Sequence, residues 1–349
     1  MDKNSRILTG HRPTGPRHLG HLVGTLETWR RLQADSQCFF LVADLHVLTT
    51  DFAHPERIQM NTLEVVLDWL AAGIDPAQST LVLQSAVPEH AQLSLLLSML
   101  VTVPRLERVP TYKDQIQQLN LSPSLGLLTY PVLQAADILL YRADSVPVGE
   151  DQLPHLELAR ELARRLNQQY GLQFPEPQAI LSTMLRLSGI DNRMMHTSYG
   201  NAIYIRDTPE ETSRKVSQMY TDPTRLRTTD PGHVEGNPVF TYLDLFDPNI
   251  DEVEGLKKEY QAGKVGDVAV KTHLAEALNE YLAPIRTRRM ELAQKPDDVI
   301  EILRAGTERA RPIAQQTLEE VYQQAGLSTG LKLGPHNALA VDAPRGVYC

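Results

Sequence analysis

Cys38 to Val47 reads C-F-F-L-V-A-D-L-H-V, and this nearly uncharged run limits the fold more than any other stretch. A strand apolar on both faces must be covered on both faces, which parallel sheets achieve with helices above and below. The flanking sequence supplies those helices. Leu19, Leu22, Val23, Leu26, Trp29 and Leu32 recur at helical spacing before the run. Ile58, Leu63, Val66, Leu67 and Leu70 do so after it, in a helix expected from Pro55 to Ala72 and closed by Gly73. Ile7-Leu8 and the T-L-V-L-Q-S beginning at Thr80 read as further strands. This alternation predicts an α/β fold with a Rossmann-like, doubly wound parallel sheet whose ligand crevice lies at the carboxyl ends of the strands. Asp44, His46 and Gln84 fall near such ends.

Further helices are expected from about His90 to Val101, Leu106 to Gln118, Leu128 to Tyr141 and His155 to Gln169. Between the last two, S-V-P-V reads as a short strand and G-E-D-Q as a tight turn. Beyond Gly189, turn-rich stretches lead into helices near Leu243, from Val270 to Leu282 and from Ala310 to Gln324. No strand pattern returns, so a smaller, all-helical C-terminal domain is expected, followed by a loose end.

At 349 residues and 42% hydrophobic, the chain can bury a large core and form two domains. No apolar run reaches membrane-spanning length and the N-terminus has no secretory segment, so a cytoplasmic protein without membrane association is expected. Cys38 and Cys349 make neither a disulfide framework nor a cysteine-rich metal site. A net charge of -9 argues against a general nucleic-acid coat. Arg286, Arg288 and Arg289 do cluster in one helix, and Arg214, Lys215, Arg225 and Arg227 in another region. Solvated helix faces explain these clusters as well as RNA contact does.

Chemistry concentrates in two places. Thr9 to His21 reads T-G-H-R-P-T-G-P-R-H-L-G-H, a Gly/Pro-rich turn between a strand and a helix. The helix start offers unpaired N–H groups and a positive dipole end, suited to a triphosphate. Gly20 carries no side chain, so a base or phosphate can approach the backbone there, with His18 and His21 as flanking donors. The second place is Asp137, a carboxylate among Ala135, Ala136, Ile138, Leu139 and Leu140. Burying it alone is costly, so it is either salt-bridged or serves a ligand. Tyr130, Gln134 and Asp137 share one helix face, a polar wall able to read a small ligand with an N–H or O–H group. Asp151 in G-E-D-Q either caps the following helix or holds a ribose hydroxyl.

The opening run resembles the H-I-G-H signature of class I aminoacyl-tRNA synthetases. T-Y-P-V-L-Q-A-A-D-I-L-L-Y followed by V-P-V-G-E-D-Q resembles the tryptophanyl subgroup. S-Y-G-N (Ser198 to Asn201), M-Y-T-D-P (Met219 to Pro223) and E-G-N-P-V-F (Glu235 to Phe240) extend the likeness in order, to about Gln324. A lone H-x-G-H occurs in other nucleotidyltransferases; the ordered set is specific.

The resemblance implies a tryptophan–tRNA ligase. The carboxylate of L-tryptophan attacks the α-phosphate of ATP, pyrophosphate leaves with Mg²⁺, and the adenylate esterifies the 3′ end of tRNA(Trp). It implies an ATP site of Arg12, Pro13, Thr14, His18, Gly20, His21, Gly149, Glu150 and Asp151, with Asp151 at a ribose hydroxyl and Lys113 at the phosphates. Tyr130 and Gln152 then meet the α-amino end, with Gln134 on the same wall. Asp137 accepts the indole N–H, and Leu8 and His46 line the indole pocket. The implied layout is a catalytic domain at 1–190 with a helical insertion near 90–125, a K-M-S-K-S-type loop at 191–203, an anticodon-binding-type helical domain at 204–328, and a loose tail at 329–349. A homodimer is implied as well. ATP with Mg²⁺ is the implied cofactor, with no protein-held metal; the chain lacks the cysteines with which some relatives hold an iron–sulfur cluster.

The loop departs from the family pattern. It maps to Met194, Met195, His196, Thr197 and Ser198, so both lysine positions, Met194 and Thr197, are lost. Those lysines bind pyrophosphate oxygens, and losing such contacts costs on the order of 10²-fold in rate. A slower, auxiliary type of enzyme is the expectation, with Thr197 and Ser198 still at the catalytic loop positions. Arg12, Arg17, Lys113 and Arg193 are candidates to compensate, and His18 and His21 to carry more of the phosphate charge. At this level two alternatives stay open: a catalytically weak tryptophan/ATP-binding paralogue with a regulatory or partner-binding role, and tyrosine as substrate.

Overall fold

The computed structural model describes residues 5–119, 123–181, 187–225, 227 and 229–327. Five strands form one sheet: β1 (Arg6–His11), β2 (Gln37–Val42), β3 (Ser79–Leu83), β4 (Ser145–Val148) and β5 (Gln178–Leu181). All neighbours pair in parallel in the order β3-β2-β1-β4-β5. The chain winds outward from β1 to β3 and then crosses back to β4, so a crevice opens between the carboxyl ends of β1 and β4.

Period two sends alternate side chains to opposite faces. Ile7, Cys38, Phe40 and Leu81 point to one face, and Leu8, Phe39, Leu41 and Val82 to the other. The first face is covered by α1 (Leu19–His21), α2 (Glu27–Leu32) and α3 (Glu56–Ala71), with Trp29 and Trp69 at its centre. The short α4 (Glu89–Ser98), α5 (Val103–Glu107) and α6 (Pro110–Leu119) lead to α7 (Leu125–Leu140) and α8 (Leu153–Tyr170), which cover the second. Between α1 and α2 the helix widens into a π turn over Leu22–Leu26, where Glu27 N–H reaches back to the Leu22 carbonyl. Thr25 Oγ1 donates to the His21 carbonyl at 2.7 Å within that turn.

The expected strand from Cys38 to Val47 is shorter than its apolar length. It ends at Val42 because Asp44 turns the chain, its Oδ1 accepting the N–H groups of Leu45 (3.1 Å) and Ser85 (2.9 Å). Leu45–Thr49 then forms a 3₁₀ turn. β5 was not legible beforehand: four residues with a polar first position give almost no pattern.

The remainder is helical, as expected: α9 (Pro209–Ser217), α10 (Pro238–Phe246), α11 (Ile250–Gln261), α12 (Asp267–Ala293) and α13 (Pro296–Gln324). α9 and α11 were missed because they are mostly polar. α9 nevertheless announces itself in T-P-E-E, where the Thr208 hydroxyl and the Glu211 carboxylate form a reciprocal capping box. Phe240, Tyr242, Leu274 and Leu278 pack into a core continuous with Ile7, Trp29 and Trp69, so one sheet face and the helices beyond it share a single interior. The implied tail at 329–349 lies outside the described residues.

α13 returns to the sheet and lies along the outer edge of β3, an edge that would otherwise offer open backbone groups. Thr307 Oγ1 accepts the Leu83 N–H at 3.0 Å and donates to the Leu303 carbonyl at 2.7 Å. At Gly306 an added Cβ would sit 2.2 Å from the Leu81 carbonyl oxygen. Gly306→Val is therefore expected to destabilise the chain by about 2 kcal/mol or more. Urea unfolding checks this; wild-type stability would mean α13 can stand off the strand without cost.

Candidate active site

A cavity of about 360 Å³ opens at the carboxyl ends of β1, β2 and β4. It brings together Leu8, Arg12, His46, Tyr130, Gln134, Asp137, Gly149 and Gln152 from elements far apart in sequence. The helix face inferred from spacing is therefore a wall of this cavity.

Asp137 is enclosed on α7 and collects three donors. His90 Nδ1 meets Oδ1 at 2.6 Å, His46 Nε2 meets Oδ2 at 3.0 Å, and Gln84 Nε2 spans both oxygens at 2.9 and 3.0 Å. Burial would push this carboxyl up, but the hydrogen bonds from His46 and His90 together hold it well below the ordinary carboxylate range. Both readings of Asp137 thus meet in one residue: it is paired, and it lines a cavity. The 3₁₀ turn after β2 puts His46 in place, and the end of β3 supplies Gln84. His90 was not foreseen. It lies behind Asp137, its Nε2 3.0 Å from the Tyr141 hydroxyl.

Beside it, the Tyr130 hydroxyl, Thr111 Oγ1 and His155 Nε2 converge. The ring nitrogen lies 2.7 Å from Tyr130 and 2.8 Å from Thr111. Burial, countered in part by Asp151, lowers His155 to about 4, so the ring is neutral. Thr111, also unforeseen, lines the cavity, as do His11, Thr25 and Trp29 at the opposite end. The signal for Thr111 was only a hydroxyl in a polar stretch.

The Thr9–His21 junction places Arg12 on the cavity wall, donating to Thr50 Oγ1 while its buried Nε has no partner among the described atoms. Pro13 is buried and Thr14 exposed at the turn, and neither lines the cavity. His18 caps α1, and its N–H donates to His21 Nδ1 at 3.3 Å, leaving Nε2 of His21 as the proton-bearing atom. A Cβ on Gly20 would lie 3.0 Å from His18 Nδ1, so the missing side chain leaves room for the His18 ring. Burial, then the nearby Arg17, lowers His18 to about 3, and the same two causes lower His21. Both histidines are therefore neutral donors here and contribute no positive charge. Arg17 does not face the cavity either: its guanidinium is buried against the Gly15 and Arg12 carbonyls.

Gly149 precedes a 3₁₀ turn over Glu150–Gln152 at the end of β4, with Glu150 and Asp151 exposed. A Cβ on Gly149 would lie 2.7 Å from Asp151 Oδ1, so glycine leaves room for that carboxylate to turn back over the strand end. Asp151 Oδ2 accepts from Gln152 Nε2 at 2.9 Å. Lys113 is exposed on α6 and outside the cavity lining.

The loop with Met194–Ser198 abuts the start of α1. Met195 is buried, its Sδ 3.8 Å from the Cβ position of Gly20, whereas Met194, His196 and Thr197 are exposed. The side chain of Ser198 lies outside the described atoms. Asn201 braces the loop: Oδ1 accepts from His196 N–H at 2.9 Å, and Nδ2 donates to Asp191 Oδ1 at 2.8 Å and the Met194 carbonyl at 3.2 Å. Among the described residues, no group of three or more His, Cys, Asp or Glu side chains is placed to hold a metal ion, and no helix is long and apolar enough to cross a membrane.

A family model described as tRNA synthetases class I (W and Y) matches residues 1–283. The chain is 51% identical over 327 residues to a tryptophan–tRNA ligase of Treponema pallidum, covering 93% of this chain and 97% of that protein. Its structure is similar to tryptophanyl-tRNA synthetase from Campylobacter jejuni complexed with ADP and tryptophan, with a TM-score of 0.85 at 36% identity over 92% of this chain and 100% of that one. The likeness to tyrosyl-tRNA synthetase from Archaeoglobus fulgidus complexed with L-tyrosine is weaker, with a TM-score of 0.64 at 27% identity over 83% and 91% of the two chains.

Asp137→Asn would place an NH₂ group where donors from three residues converge. The expected cost is about 1–3 kcal/mol, read by urea unfolding, together with weaker binding of a ligand that offers an N–H to this wall. Unchanged ligand affinity would remove Asp137 from the recognition surface.

Proposed function

The chain belongs to the class I tRNA synthetases for tryptophan and tyrosine, and from that membership we propose that it is a tryptophan–tRNA ligase. It activates L-tryptophan with ATP and transfers it to the 3′ end of tRNA(Trp). The observation that carries tryptophan over tyrosine is the stronger likeness to tryptophan enzymes than to a tyrosine enzyme. Asp137, held as a pure acceptor at the cavity wall, takes the indole N–H.

Leu8, His46, Gln134 and Asp137 form the indole side, and Tyr130 with Gln152 the α-amino side. ATP lies toward Arg12, Pro13, Thr14, His18, Gly20 and His21, with Gly149, Glu150 and Asp151 around adenosine. Mg²⁺ enters with ATP as part of the substrate and stabilises the departing pyrophosphate. Arg12 is the cation nearest the α-phosphate side, so charge stabilisation falls on it and on the neutral N–H donors of the histidines. Lys113, Met194, Met195, His196, Thr197 and Ser198 reach the phosphates when their segments move toward the ligand. The helical region reads the anticodon. A cytoplasmic site of action follows from the ligase reading.

A homodimer is supported by an apolar face that would otherwise stay wet. Leu48, Leu95 and Leu125 share one open groove and are 41, 61 and 75% exposed, with Met99 at the end of the same helix as Leu95. Tyr130 lines both this groove and the substrate cavity, so the second copy would support the pocket.

Tryptophan-dependent exchange of labelled pyrophosphate into ATP tests the reaction. Exchange with tryptophan and not tyrosine is expected; tight tryptophan binding without exchange would replace the enzyme by a binding paralogue. Met194→Lys with Thr197→Lys should raise the exchange rate by about tenfold or more with tryptophan affinity nearly unchanged. A fall in rate would mean the loop works through another geometry. Leu125→Glu should convert the dimer to monomer in analytical ultracentrifugation, and an unaltered mass would move the interface elsewhere.

A further inference from the structure

Asp68 stands on α3 in the run V-V-L-D-W-L, fully enclosed and one turn beyond Glu64 on the same helix face. It does not line the cavity. Its Oδ2 accepts the backbone N–H of Arg17 at 2.6 Å, and its Oδ1 accepts Arg289 Nε at 2.7 Å. Arg289 reaches in from α12 and donates its other arm to Glu64 Oε2 at 2.6 Å. Arg206, just past the Met194–Asn201 loop, donates to that same Glu64 oxygen at 3.0 Å. Two carboxylates one turn apart therefore hold the signature loop, the segment after the second loop, and the long helix of the C-terminal region.

The signature loop is clamped from the other side as well. Ile205 N–H donates to the Arg17 carbonyl at 3.0 Å, and Leu19 N–H donates to the Ile203 carbonyl at 2.9 Å. His18 and Tyr204 form an antiparallel bridge between these bonds. Residue 17 is thus fixed through both its N–H and its C=O, directly before the residue that caps α1. A buried carboxylate that only joined two helices would need no bond to that backbone. A buried ion pair is weak grounds for stability in itself, since apolar side chains of similar volume do as well.

We propose that Asp68 is a positioning residue for the nucleotide: through Arg17 N–H it sets the loop that carries Arg12 and His18, and Arg289 couples that setting to the helical C-terminal region. The role rests on reading the junction as the ATP site. Loss of the Asp68 bond lets the loop shift without removing any group that touches substrate, so ATP is affected and tryptophan is not.

ATP binding to the full chain, measured by calorimetry without amino acid, tests it alongside the exchange KM values for ATP and tryptophan. Asp68→Ala is expected to weaken ATP binding about tenfold with the tryptophan KM within about twofold. Asp68→Asn, whose amide oxygen can still accept from Arg17, should recover most of that loss. Arg289→Met should weaken ATP severalfold, and its effect combined with Asp68→Ala should fall short of the product of the two. ATP and tryptophan constants moving together, or a lowered Tm with wild-type ATP affinity, would overturn the role. If Asp68→Ala does not fold, Asp68→Asn and Arg289→Met decide the matter by the same readouts. A wild type that binds ATP but shows no exchange would overturn the ligase reading and leave the binding arm decisive for Asp68; one that binds no ATP would overturn both.

Discussion

A parallel sheet covered on both faces has one place where its strands can present polar groups to a ligand, and that is at their ends. Everything chemical in this molecule follows from that restriction. The faces around Phe39, Phe40 and Trp69 are buried, so the backbone and side chains able to meet water gather where β1, β2 and β4 stop. Crossing from β3 back to β4 separates the two halves of the sheet at that point and leaves a crevice. Even the outer edge of β3 is closed, by α13 and its Thr307 hydroxyl.

Around the crevice, burial weighed against hydrogen bonding decides the form of Asp137, His18, His21 and His155. Asp137 stays ionised because three side chains donate to it, whereas burial prevails at His18, His21 and His155, even with Asp151 partly countering it at His155. The result is a division of labour. One wall of the cavity presents a fixed anion, Asp137, and the strand–helix junction holds neutral histidines beside Arg12, the cation on the cavity wall. A site in which the histidines carried charge would repel Arg17, already buried beside them and lowered to about 10 by that burial.

Asp68 and Asp137 make an instructive pair. Each sits in an apolar helical run, V-V-L-D-W-L and A-A-D-I-L-L, and each is enclosed. The sequence signal is the same, an acid where only apolar side chains belong, yet only Asp137 was singled out because Tyr130 and Gln134 share its helix face. Asp68 has its partners far away in the chain, at Arg17 and Arg289, and spacing on one helix carries no trace of them. His90 and Thr111 were hidden for the same reason: each matters through a neighbour from a different element.

What the sequence determined by itself was local and periodic. Apolar spacing specified the strands from Ile7 to Val148 and the helices between them, and ordered motifs identified the family. Whether the apolar run from Cys38 continued as strand depended on Asp44 finding Leu45 and Ser85, which placed His46 against Asp137. The charge of the histidines depended on how deeply the fold enclosed them beside Arg17. Those outcomes belong to tertiary structure, because desolvation and hydrogen bonding between distant residues exist only once the chain has brought them together.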